Sequence, residues 1–218
     1  MNNQKNIVAV IVAVVTVVIL GAVYYFFGPP SNDRMIVTNT TETIANEELN
    51  FSFSYESGET ALSSMETLPE QFGSSTLQKM YMLMDTRELE SFNQAKEKGE
   101  VRESPPAISV LVFEKASTTE AIVASSTASS SDSSVEKVKQ WAKDNNQFTN
   151  FNLATSDIEE TEIDGASAIH YQTDGLYKQD VYVARYGKKM YLFVGQSMNE
   201  GDYMQESFKK VIDSVLFE

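Results

Sequence analysis

The chain has no cysteine and a single histidine among its 218 residues. The first absence excludes disulfides, thiolate metal centres, cysteine nucleophiles and a lipidated cysteine. The second excludes any metal centre or catalytic set that needs two imidazoles. Positive charge is scarce: 17 Lys and Arg stand against 31 Asp and Glu, a formal charge of −14 with a pI near 4.5. A phosphate-binding surface needs the opposite sign, so nucleic acid is excluded as a partner. No Gly-x-Ser-x-Gly elbow, Walker pattern or dinucleotide glycine pattern occurs, and Gly195 and Gly201 stand alone.

Long hydrophobic runs are confined to one place. Ile7 to Phe27 reads IVAVIVAVVTVVILGAVYYFF, with 19 of 21 residues apolar and no charge. As a helix it spans about 31 Å, the thickness of a bilayer core, with every backbone amide bonded internally. Tyr24 and Tyr25 suit the headgroup layer, and Gly28, Pro29 and Pro30 stop the helix. A cleaved leader would have an apolar stretch of about 7–15 residues followed by small ones. Here the run is longer and leaves through bulky Tyr24 to Phe27, which predicts an uncleaved transmembrane anchor. Lys5 and the amino terminus hold residues 1–6 in the cytoplasm and send the rest outward. The expectation is a single-pass cell-membrane protein whose partner through residues 7–27 is the lipid bilayer.

Residues 28–48 are rich in Thr, Asn and Glu with little to bury, and read as a flexible tether. From residue 49 the pattern changes. Phe51, Phe53 and Tyr55 alternate with serines, the period of a half-buried strand. Leu77 to Met84 is a second strand candidate, and Asp85 with Glu88 forms a capping box for a helix to about Lys98. Pro105-Pro106 introduces AISVLVFE (107–114), apolar on both faces and so expected to be central. Eleven of the eighteen residues from Ser117 to Ser134 are Ser or Thr, an expected disordered insertion. Val135, Val138, Trp141 and Ala142 share one face of the next helix, capped by Ser133 and Glu136. Strands ASAIHYQT, QDVYVARY and KMYLFVGQS follow, then a helix from Asp202 to Asp213 and a closing SVLF. Hairpins interrupted by helices predict an α+β fold, an antiparallel β-sheet flanked by helices.

Several of these pieces resemble PsbP-like domains, which are α/β/α sandwiches. They are the NFSFSYESG strand, the VEKVKQWAKDN helix, EIDGASAIHY after its DG turn, GKKMYLFVGQS and the ESFKKVIDSVLFE ending. The likeness covers residues 49–218, rests on the order of elements, and is similar to bacterial membrane-anchored relatives of unassigned activity. It implies a non-enzymatic binding or assembly domain with no catalytic residue and no cofactor. The Ser-rich insertion and the anchor depart from the pattern.

The residues themselves nominate little chemistry. His170 would have to serve any Ser-His-acid set, yet it alternates with Ala168 and Gln172 on one face of a strand, the setting of a hydrogen-bonded sheet histidine. The acid run Asp157 to Asp164 fails as an EF-hand: aligned on Gly165, position twelve is Tyr171, which cannot supply a bidentate carboxylate. It reads as a charged edge strand, and no metal site is expected. Tyr171, Tyr177 and Arg185, with His170, are the candidate binding residues, because Tyr and Arg give large contact area at low entropic cost. Alternating tyrosines also stabilise sheets by cross-strand pairing. The functional expectation is a non-enzymatic extracytoplasmic domain that binds or helps assemble another envelope protein. The alternative is a small-molecule binder or hydrolase with a cleft near His170.

Overall fold

The computed structural model describes residues 39–58, 61–67, 76–114 and 132–218. The Ile7–Phe27 run, expected to be an anchor, and residues 117–131 of the Ser/Thr-rich insertion lie outside them. Among the described residues no helix is long and apolar enough to cross a membrane. The strands are β1 (Thr40–Asn46), β2 (Phe51–Ser57), β3 (Leu62–Thr67), β4 (Leu77–Asp85) and β5 (Ala107–Glu114), then β6 (Glu159–Ile163), β7 (Ala166–Asp174), β8 (Lys178–Tyr186), β9 (Lys189–Ser197) and β10 (Leu216–Phe217). Helices α1 (Thr86–Glu97), α2 (Asp132–Asp144), the short α3 (Asn146–Thr149) and α4 (Tyr203–Asp213) complete the list, with a 3-10 turn at Phe151–Leu153.

Nine strands run in the order β1-β2-β3-β4-β5-β9-β8-β7-β6, and β10 pairs with β2. Every pairing is antiparallel except one parallel contact, Ser57 with Leu62, so the sheet is mixed by that contact alone. The apolar stretch AISVLVFE is the middle strand: it is buried on both faces because both faces are covered. Ile108, Val110 and Val112 point to the side packed by α4 and β2, where Tyr191, Phe193, Phe208 and Val211 join them. Leu111 and Phe113 point to the other side, against Val138, Trp141 and Ala142 of α2. The layering is therefore helix, sheet, helix, the α+β arrangement expected from the hairpin pattern.

Local chemistry explains the turns and ends. Asp85 Oδ1 accepts from the Arg87 and Glu88 amides and starts α1, while Glu88 turns away to pair with Arg102 at 2.9 Å. Asp164 and Gly165 both have positive φ, 46° and 73°, the conformation of a two-residue hairpin turn between β6 and β7. On β9, Gly195 leaves room for the Phe208 ring: a Cβ there would lie under 3.0 Å from all three of its nearest ring carbons.

Two expectations change. The tether was expected over 28–48, but Thr40–Asn46 is a strand paired with β2 along all seven residues. Its side chains are mostly exposed, so it carries no hydrophobic period. Polar bonds hold it instead: Tyr55 Oη and Ser57 Oγ each donate to the Glu42 carboxylate at 2.6 Å, and Thr43 meets Ser54 at 2.9 Å. Second, α2 begins at Asp132, inside the stretch read as disordered to 134, because Ser and Asp are tolerated in a first helical turn.

The inner edge of β2 is filled piecewise. β3 meets it at Ser57, and β10 meets it at Phe51 and Ser52. Between them Ser214, just past α4, accepts from the Ser54 amide at 2.8 Å, and its one hydroxyl proton is shared between the Val211 carbonyl at 2.8 Å and the Ser54 carbonyl at 3.1 Å. One hydroxyl thus does the work of a missing strand residue.

Candidate functional site

Three strands place Glu159, His170 and Tyr182 in one row, since register pairs Glu159 with His170 and His170 with Tyr182. The imidazole stacks on the Tyr182 ring at 4.2 Å between centroids. Its Nδ1 lies 3.5 Å from Glu159 Oε2 and its Nε2 lies 3.3 Å from Asp180 Oδ1. Gln172 donates to Asp180 Oδ1 at 2.8 Å, and Gln205 of α4 reaches Asp180 Oδ2 at 3.4 Å. A groove of about 380 Å³ opens here, bounded by His170, Asp180 and Tyr182 on one side and Phe208, Ile212 and Asp213 on the other.

The electrostatics follow from these contacts. The Asp180 hydrogen bond raises the His170 pKa; burial opposes it, and Glu159 adds to the rise. Burial pushes Asp180 upward, but bonds from His170, Gln172 and Gln205 together outweigh it and leave its carboxyl below the usual range. Both ring nitrogens face carboxylates, which favours the imidazolium. A general base needs one nitrogen free to accept a proton from a hydroxyl, and this arrangement commits both.

The four candidate residues do not converge. Tyr171, next to His170, points to the opposite face, where it is fully buried; its hydroxyl donates to the Thr149 carbonyl at 2.8 Å, and burial pushes its pKa up. Arg185 shares the parity of Val181 and Val183, which face α2, and pairs in register with Met190. Tyr177 sits in the β7–β8 turn, half-buried, with its hydroxyl on the Ser104 carbonyl at 2.8 Å. Among the described residues no group of three acidic or imidazole side chains is arranged to hold a metal ion.

Tyr177 leads to a second, larger feature. The segment before β5, the end of β9 and the start of α4 meet at one end of the sheet and enclose an open groove of about 640 Å³. Val101, Pro105, Pro106, Tyr177, Met198 and Tyr203 supply its apolar surface. Val101 is fully exposed, Met198 is 65% exposed and Tyr203 37%. Leu176, beside Tyr177, is 69% exposed. Six large hydrophobic side chains are exposed among the described residues, and these are four of them. Asp85, Glu88, Glu103 and Asp202 stand around the groove against one cation, Arg102. Burial raises the Tyr203 pKa, the Ser207 hydrogen bond opposes it, and the charges of Asp85 and Glu56 add to the rise against Lys210.

Sequence reasoning found only Tyr177 of this set. Tyr203 read as a helix face and Pro105-Pro106 as a helix stop, while Met198, just past the KMYLFVGQS strand, carried no reading. The signal that could have found them is Val101 in a polar, proline-ended connection, an apolar residue with no period to place it in a core.

No protein-family model and no curated protein matches the chain. Among solved structures, the solution structure of cyanobacterial PsbP (CyanoP) from Synechocystis sp. PCC 6803 is similar at a TM-score of 0.44 and 14% identity, covering 88% of this chain and 100% of that one.

Proposed function

We propose that this chain is a membrane-anchored extracytoplasmic domain, non-enzymatic, that binds or helps assemble another envelope protein. We read its α/β/α layering as PsbP-like, in keeping with the order of elements from residue 49 onward. The observation that carries the functional reading is the gathering of four of the six exposed large hydrophobic side chains on or beside one groove. Exposed apolar residues scattered singly are ordinary, whereas their gathering at one groove supports an interaction surface. The double carboxylate engagement of His170 weighs against a base-catalysed hydrolase. The Ile7–Phe27 run supports the anchor, and confinement at a membrane raises effective concentration, so a modest interface suffices.

The test is site-specific photocrosslinking in native membranes with a photoreactive side chain at Tyr177. The reading expects one recurring neighbour, lost when Met198 is changed to Asp. No recurring neighbour from this position refutes it. Protease treatment of cells with a permeable outer layer should remove the domain; protection until lysis refutes the topology. The groove beside His170 supports a second reading, a small-molecule binder, which predicts ligand-induced shifts of the His170 resonances without change at Tyr203.

A further inference from the structure

We infer that the groove at the end of the sheet takes a basic, extended segment of a partner protein that carries an aliphatic or aromatic anchor. The inference rests on the reading of this end as a docking surface and adds the chemistry of what docks. Charge is the first argument. Four carboxylates surround the groove against Arg102, and Arg102 is already paired with Glu88 at 2.9 Å. Asp85 and Asp202 cap α1 and α4, whose N-termini each contribute about half a positive charge. Crediting both ends still leaves about two negative charges, with Glu103 as the carboxylate on the exposed segment.

The same balance sets the class of occupant. An anionic lipid surface or a nucleic acid would meet repulsion from the groove and from a chain of formal charge −14. A small ligand seated between Pro105, Tyr177 and Met198 would leave the exposed Leu176, beside the groove, and much of Val101 in water. A chain segment crossing the groove covers rim and floor together. The unbranched Met198 adapts to its shape, and the two tyrosine rings offer faces to an apolar side chain or to a cation.

The test uses the full chain in nanodiscs of zwitterionic lipid and fluorescent peptides read by anisotropy. One peptide carries lysines around a Leu-Phe pair, the second replaces its lysines by glutamates, and the third keeps the lysines without the apolar pair. The first should bind at least tenfold tighter than the other two, and its affinity should fall several-fold between 50 mM and 500 mM salt. Glu103→Lys should weaken the basic peptide several-fold and leave the melting temperature unchanged, while Met198→Asp should weaken the first peptide without restoring the second. Equal binding of the basic and acidic peptides overturns the inference, as does binding indifferent to both substitutions. A crosslinked neighbour at Tyr177 combined with equal peptide binding would retain the docking role and remove only its charge preference. Absence of both removes the docking role itself.

Discussion

Replacing Gly195 by alanine tests how the α4 layer is seated on the sheet. Gly195 has no positive φ, so alanine meets no backbone penalty, and fewer unfolded conformations would by themselves add about 0.4–1 kcal/mol of stability. Packing opposes this. Of the three nearest Phe208 ring carbons, even the farthest, Cδ2, would lie 2.8 Å from the new Cβ. Ordinary carbon contacts sit at about 3.5–4.0 Å, so the ring must retreat by about 1 Å. Phe208 is 3% exposed and shares α4 with buried Met204 and Val211, so the retreat loosens the helix along its length. Overpacking of this kind costs about 1–3 kcal/mol, which exceeds the entropic gain at most of its range. The midpoints of the two ranges leave a net cost of about 1.3 kcal/mol, and for a domain of this size each kcal/mol moves Tm by about 2–4 °C, giving a loss of about 3–5 °C. The assay is near-ultraviolet circular dichroism on heating the full chain in detergent. Adding Phe208→Leu to the Gly195→Ala background should recover part of the loss although Phe208→Leu alone destabilises. A Gly195→Ala chain melting within 1 °C of wild type, or strictly additive losses, would refute the argument.

The chain has one histidine, so a single imidazole signal reports His170 by NMR; its pKa should exceed 6.5 and return toward it in Asp180→Asn. Because the folded value is raised, its stabilisation is complete below the unfolded pKa and disappears as pH rises through the folded one. Urea midpoints should therefore fall across that window, and a flat profile in wild type would contradict the His170–Asp180 contact. Tyr171→Phe removes the hydroxyl bonded to the Thr149 carbonyl in the interior and should cost about 1–2 kcal/mol by urea unfolding, with no cost if that bond is absent. Asp202→Ala leaves the Gln205 and Met198 amides without their acceptor and should cost about 1 kcal/mol, with faster hydrogen exchange at Gln205; unchanged exchange would count against the cap.

The parts legible in the sequence were those with a repeating period or a punctuating turn. AISVLVFE announced a central strand because both faces are apolar, and Val135, Val138, Trp141 and Ala142 announced the buried stripe of α2. β1 escaped because its attachment is hydroxyl to carboxylate, a pattern with no hydrophobic alternation. The His170 pairings were half visible: alternation placed it with Gln172, but Asp180 and Glu159 join it only through cross-strand register. The apolar groove was the least legible. Val101, Tyr177, Met198 and Tyr203 come from separate elements and meet only where the strand ends and α4 converge.

The closing of the β2 edge by Ser214 and β10 has a consequence for how the molecule is made. Ser54 and Ser214 are 160 positions apart, so this seam joins the first part of the domain to be synthesised with the last. Closing a loop that long costs on the order of 4–5 kcal/mol of chain entropy before any contact repays it. Until α4 and its trailing residues emerge, Phe51 and Phe53 remain without their cover and the strand keeps a bare hydrogen-bonding rim. The period of greatest danger for this chain is thus its synthesis, when a holding chaperone would find its target in residues 51–57.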